Sequence, residues 1–157
     1  MENNLQKQFF LSPVSRKLVE IIEKNALDLA TAYLREVKRH PKLKSYQGLA
    51  EEEVVKRAYV VYSQLGKWIS YEMESEELKN YWKELGRQRR AEGFSLPEIF
   101  LSLCLERMQL WLKIQSEGLL DSVLDLYQAL ELYNRIVNFF DRALYYAIIG
   151  YCRYSDK

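Results

Sequence analysis

The chain has 157 residues, of which 48% are hydrophobic and 29% charged, and its net charge at pH 7 is +1. These values exclude wholesale disorder, and the small net charge removes bulk electrostatic attraction to nucleic acid or anionic membranes. Only six glycines and three prolines interrupt the chain, which favours long helices. We therefore expect a single all-α domain over residues 1–157, with residues 1–11 as a poorly ordered or short N-terminal arm.

Two helices are predicted in the first half of the chain. The first begins at Ser12-Pro13, a serine N-cap followed by a proline in the first turn, and ends at His40-Pro41. The second begins near Leu49 with three glutamates that suit the positive end of the helix dipole. Apolar residues recur with helical spacing in both helices: Leu18, Ile22, Ala26, Leu29, Tyr33 and Val37, then Val54, Ala58, Val61, Leu65, Trp68 and Ile69.

A tight corner is predicted between the third and fourth helices. The third opens at Ser75 and ends at Gly93, the position at which a left-handed glycine terminates a helix. The tetrapeptide at residues 95–98, SLPE, matches a capping box, and Phe94 and Ile99 match the hydrophobic staple that flanks such a box. The fourth helix then extends for about 33 Å.

The fifth helix runs from about residue 120 to about residue 150 and is about 45 Å long. Both the fourth and the fifth helix are apolar around most of their circumference. The polar residues of each form a thin line, which in the fourth helix we call the polar stripe: Ser102, Glu106, Gln109 and Lys113. A five-helix monomer cannot easily bury two such faces, so we expect a homodimer with an intermolecular four-helix bundle. The alternative is that the fourth helix is the central core helix. The predicted dimer interface consists of Leu101, Leu105, Met108, Leu112, Leu126, Leu130, Ile136, Phe140 and Leu144.

Residues with catalytic chemistry are scarce. The single histidine, His40, precedes a proline at a helix end and is interpreted as an exposed cation. Cys104 and Cys152 lack metal-binding or redox spacing, and the sequence contains no phosphate-binding loop or nucleophile elbow. Basic residues along the third helix are interpreted as a solvated face, with a site for an acidic partner as the alternative and nucleic-acid binding less favoured than either. We therefore predict no catalytic residues, no metal and no cofactor, and a protein that is not an enzyme.

The location is predicted from the absence of targeting signals. The N-terminal segment has only a three-residue apolar run, unlike a signal peptide. No apolar run approaches the ~20 residues of a membrane span. A soluble, cytoplasmic protein is expected.

The pattern LGRQRRAEGFSLPEIFLSL at residues 85–103, followed by ERMQLW and NRIVNFFDRAL, resembles the RsbRD-type N-terminal domain. That domain is found in bacterial stressosome RsbT co-antagonist proteins and at the front of some sensor kinases. The same corner is similar to the segment of sensor globins that carries the proximal haem histidine, with Gly86, Gly93 and Phe94 in place but Arg89 at the histidine position. A guanidinium that stays protonated cannot ligate haem iron. The resemblance thus implies a haem-free, globin-like or helical-bundle domain for stress-response signalling.

Two functions are consistent with these features. The resemblance and the apolar helices favour a non-enzymatic signal-input domain that acts as a homodimer on an output domain or partner protein. The alternative is a small-molecule or lipid sensor with an apolar pocket between the second, third and fourth helices. That alternative predicts an enclosed cavity well above ~100 Å³, with Arg89 turned inward. Its candidate pocket residues are Tyr62, Trp68, Trp82, Arg89 and Cys104.

Overall fold

The computed structural model describes residues 11–70, 75–117 and 121–153. Seven α-helices and no strand occur in these ranges, so the all-α class is confirmed, whereas the expectation of about five helices is wrong. A short 3₁₀ helix, Lys44–Gly48, lies between the second and third α-helices. Apart from Leu11, which packs against the core, the predicted N-terminal arm lies outside the described residues. The helices are α1 Pro13–Lys24, α2 Ala26–Arg39, α3 Glu51–Ser63, α4 Leu65–Ile69, α5 Glu76–Ala91, α6 Leu96–Ser116 and α7 Val123–Arg153.

The helix count differs because each of the first two predicted helices is divided at one polar residue. At Asn25 the backbone leaves helical geometry (φ −103°, ψ 20°), and the Asn25 side chain donates to the Ile21 carbonyl at 2.7 Å. Asparagine competes for backbone hydrogen bonds in this way and favours helix ends. Gln64 divides α3 from α4 with similar backbone angles. The apolar spacing continues across both breaks, which is why periodicity alone does not reveal them.

The predicted corner between α5 and α6 is confirmed. Gly93 has a φ of 86°, and the Phe94 N–H donates to the Arg89 carbonyl at 2.9 Å, which closes the end of α5. The Glu98 carboxylate accepts from the Ser95 N–H at 2.9 Å and completes the capping box of α6. Phe94 and Ile99 are both buried, as the staple requires.

Helix α7 packs against α1, α4, α5 and α6. Its closest neighbour is α5, where glycines let the two backbones touch: a Cβ on Gly86 would lie 1.9 Å from the Ala147 carbonyl oxygen. Gly150 meets the Lys83 carbonyl oxygen of α5 in the same way. This contact fixes the rotation of α7 against α5 and determines which face of α7 remains outside. In the described part of the chain, no helix combines the length and apolar character needed to cross a membrane.

Candidate functional site

Helix α6 is folded with its polar side inward. Ser102, Glu106 and Gln109 of the polar stripe are buried, and Glu106 is only 5% exposed. On the opposite side of the helix, Phe100 and Leu112 keep about half of their surface in solvent. A helix on the surface of a monomer normally has the reverse arrangement. Three of the four residues of the polar stripe therefore face the protein interior, and solvent reaches the apolar side.

The exposed apolar side of α6 continues onto α7. Of the twelve large hydrophobic side chains that are exposed in the described residues, ten belong to these two helices, so the exposed apolar surface is concentrated in one region. Val123, Tyr127 and Leu130 recur at spacings of four and three, which keeps them on one side of α7. We call this surface the α6–α7 apolar face: Phe100, Leu101, Leu105, Met108, Leu112, Val123, Leu126, Tyr127, Leu130, Tyr145 and Ile148.

An open groove of about 160 Å³ lies between α6 and α7 beside this face. Arg107 and Asp141 line it and approach each other to 3.8 Å, and its other lining residues are Phe100, Leu103, Cys104, Phe140 and Leu144. A cavity of this size accommodates one benzene-sized apolar group. The groove can therefore receive a large apolar side chain.

The structure places some of the predicted interface residues at the surface and others in the core. Met108, Leu112, Leu126 and Leu130 are exposed, and Leu101, Leu105 and Leu144 are half-buried. The assignment of Ile136 and Phe140 to the dimer interface is corrected, because both are buried and belong to the chain's own core. The sequence shows that α7 has broad apolar sides but not which one faces α5. It also missed Val123, Tyr127, Tyr145 and Ile148, which helical spacing from Leu130 would have found.

The predicted pocket residues do not surround one space. Trp68 and Trp82 contact each other, with ring centroids 6.3 Å apart, within an aromatic cluster in the core. The Tyr62 hydroxyl donates to the backbone carbonyl of Glu106 at 2.8 Å. Arg89 lines a small inner cavity, whereas Cys104 lies at the groove between α6 and α7. The five residues therefore form no common pocket, since Arg89 and Cys104 line two different spaces and the other three line neither of them.

The inner cavity has a volume of about 20 Å³, opens partly toward the surface and is lined by both polar and apolar residues. Its polar lining residues are Tyr33, Tyr46, Arg57, Arg89, Ser102 and Glu106. The Tyr33 and Tyr46 hydroxyl oxygens are 3.0 Å apart, so one donates to the other. Burial raises the pKa of both phenols, that of Tyr46 to about 12, so they stay neutral.

Arg89 is buried, as the ligand alternative expects, but aromatic rings surround its charge. The guanidinium carbon lies 5.2 Å from the centre of the Phe94 ring and 5.9 Å from that of Tyr46. Its terminal nitrogen is 3.4 Å from the Glu92 carboxylate. These contacts assign Arg89 a structural role at the corner through cation–π attraction.

A wider groove of about 350 Å³ lies between α3 and α5, outside the inner cavity. Arg57 and Leu85 line both spaces. Arg57 is held by Glu53 at 2.8 Å and by Glu92 at 2.6 Å, so its charge is already paired. Arg57 and Leu85 therefore separate the inner cavity from this groove.

Compared with protein-family models, curated proteins and solved structures, the chain has no match. The resemblance to the RsbRD-type domain therefore stays a prediction that rests on the quoted sequence segments.

The described residues contain no group of three or more histidine, cysteine, aspartate or glutamate side chains that could hold a metal ion. His40 accepts a hydrogen bond from the backbone N–H of Lys42 at 3.2 Å in a loop. The features with functional potential are thus the α6–α7 apolar face and the inner cavity beside Glu106.

Proposed function

We propose that the chain is a non-enzymatic regulatory module that acts as a homodimer, with the α6–α7 apolar face as the surface between the two copies. The observation that carries this proposal is the orientation of α6, whose polar stripe is inside and whose apolar side is outside. Monomeric proteins rarely expose contiguous apolar patches above a few hundred Å². A surface of this kind requires a partner.

A second copy of the chain fits the size and shape of the face. If the nine exposed side chains of the face contribute about half of their ~200 Å² each, the face presents roughly 900 Å². Each side of a standard protein–protein interface buries about that area. Protruding side chains such as Met108 and Leu112 and a receiving groove occur on the same surface. A two-fold dimer needs this self-complementarity, because each copy must supply both the protruding side chains and the groove that receives them.

Helix α7 suits the transmission of a signal. It has 31 residues, against 21 in α6, and it packs on four other helices as well as contributing to the apolar face. A displacement in the core would therefore change the position of α7 at the dimer surface. This is the role that the resemblance to the RsbRD-type domain implies, in which the last helix acts on an output domain or partner protein.

The small-molecule alternative is less favoured. Arg89 is turned inward, but the cavity that it lines has about 20 Å³, far below the several hundred Å³ of a ligand pocket. The larger groove between α3 and α5 is open and carries charges of both signs, which include Lys56 and Glu84.

The substitution Leu112→Glu tests the dimer. Leu112 is 50% exposed on the face, so a glutamate is tolerated in a monomer but places a charge in the interface. The matched control is Leu27→Glu, since Leu27 is 59% exposed on α2, away from the face. Sedimentation velocity at micromolar concentration should show dimers for the wild type and the control and monomers for Leu112→Glu. A monomeric wild type would refute the proposal.

A further inference from the structure

Glu106 is a buried acid, 5% exposed, and the described residues show no hydrogen bond to its carboxyl group. Three polar groups near it are bonded: Tyr33 with Tyr46, Tyr62 with the Glu106 carbonyl, and Ser102 with the Ile99 carbonyl. An ionised carboxylate without a partner is strongly disfavoured at such a site. The carboxyl group must therefore be neutral or find a partner in the adjoining cavity.

The adjoining cavity has the size and lining for one water molecule. A water requires about 10–15 Å³ of cavity volume and two to four polar partners. The cavity has about 20 Å³ and is lined by Glu106, Ser102 and the two tyrosines of the Tyr33–Tyr46 pair. Nothing much larger than water fits.

We propose that Glu106 and this cavity form an internal proton-binding site, in which the carboxyl group holds a proton and is hydrogen-bonded to one buried water. Release of the proton converts the neutral acid to a carboxylate and transfers the proton to solvent past Arg57 and Leu85, which line both the cavity and the groove between α3 and α5. The ligand of the site is therefore a single proton.

The charged and titratable groups on the surrounding elements leave Glu106 unpaired. Tyr33 of α2, Tyr46 of the 3₁₀ helix, Tyr62 of α3 and Tyr81 of α5 all have a raised pKa from burial and remain neutral. The two basic groups at the cavity are Arg57 of α3 and Arg89 of α5, and both are engaged with Glu92.

Burial raises the pKa of Glu106 to about 8, in agreement with this geometry. Helix α6 carries Glu106 on its inner side and the apolar face on its outer side, so a new charge at Glu106 acts on the helix that forms that face. The proton-binding site itself does not depend on the dimer.

Carboxyl-carbon NMR of the chain labelled at its glutamate side chains tests the site directly. The resonance that is lost in Glu106→Gln identifies Glu106, and Glu84→Gln, at an exposed position, is the matched control. We expect the Glu106 resonance to titrate with a midpoint near pH 8 in the wild type and in the control. A midpoint near the ordinary glutamate value of about 4.3 would overturn the proposal.

Two further measurements keep the proposal testable if Glu106→Gln does not fold. The infrared C=O band of a protonated carboxyl should be present in the wild-type chain at neutral pH and disappear on alkalinisation. Its absence at neutral pH would contradict a protonated Glu106. A high-resolution crystal structure at neutral pH should show one ordered water against the Glu106 carboxyl, and a dry cavity would contradict the hydrated site.

Discussion

Glu106 and Met108 lie two positions apart on α6 and face opposite sides of the helix. Glu106 lines the inner cavity and is 5% exposed, whereas Met108 is 38% exposed among other apolar side chains. Residues two apart on a helix point about 200° apart, so one orientation of α6 places both. The same rotation of α6 therefore produces the internal acid and the external apolar face.

If the α6–α7 apolar face is a dimer interface, the melting temperature of the wild-type chain will rise with protein concentration. Association stabilises only the folded chains, so its effect grows by mass action. The melting temperature of Leu112→Glu should not change over the same concentration range. Differential scanning calorimetry at several concentrations measures this, and a wild-type melting temperature independent of concentration would argue against the dimer.

The contact between α5 and α7 predicts a large effect of Gly86→Ala. The added Cβ would lie 1.9 Å from the Ala147 carbonyl oxygen, and both partners are helix backbone, so the helices must separate. We expect a loss of about 3 kcal/mol in the free energy of unfolding. The control is Gly48→Ala, where a Cβ meets nothing within 4 Å and should change stability by less than about 1 kcal/mol. Urea unfolding compares the two, and equal effects would contradict the close contact.

The stability that Glu98 contributes should decrease as the pH falls, whereas the stability that Glu106 contributes should decrease as the pH rises. Burial alone would raise the pKa of Glu98, but hydrogen bonds donated by Ser95 and Ser45 outweigh it, and the pKa is lowered. The resulting stability is present above the unfolded-state pKa of about 4.3 and is lost as the pH falls through the folded value. We expect Glu98→Gln to cost about 1–2 kcal/mol at neutral pH and less in acid.

Urea midpoints at neutral and acidic pH measure this difference for Glu98→Gln. Glu52→Gln is the control, because Glu52 also lies in a first helical turn but is exposed. A cost for Glu98→Gln that stays constant with pH would mean that the carboxylate charge is not involved.

Glu106 predicts that stability falls as the pH rises. Because its folded-state pKa is raised from 4.5 to about 8, the contribution is complete below about pH 4.5 and is lost as the pH rises through about 8. The urea midpoint of the wild type should therefore fall relative to that of Glu106→Gln between these values and level off above them. A difference between the two proteins that does not vary with pH would exclude linkage through Glu106.

Haemin binding tests the expectation that the domain is haem-free. After unbound haemin is removed by gel filtration, we expect no Soret band with the wild-type chain, and none with Arg89→His either. The cavity beside Arg89 has about 20 Å³, whereas cofactor sites occupy at least ~300 Å³. A Soret band in Arg89→His but not in the wild type would show that the core opens for haem and that the arginine alone excludes ligation.

Local sequence patterns were sufficient to predict the α-helical class and the corner at Gly93. The capping box, the staple and the terminating glycine act through contacts within a few residues, so their sequence signature is direct. The start of α1 was also predictable, since the Ser12 hydroxyl accepts from the Ser15 N–H at 3.3 Å. The breaks at Asn25 and Gln64 were not, because the apolar spacing passes through them.

The sequence by itself determined that α6 and α7 have broad apolar surfaces and that α6 carries a thin polar stripe. Only the tertiary structure decided that the stripe faces inward and that Ile136 and Phe140 belong to the core while Leu112 and Leu130 remain outside. Periodicity gives the angles between side chains on one helix but not the rotation of that helix against its neighbours. That rotation is set by contacts between distant residues, such as the backbone approach of Gly86 to Ala147.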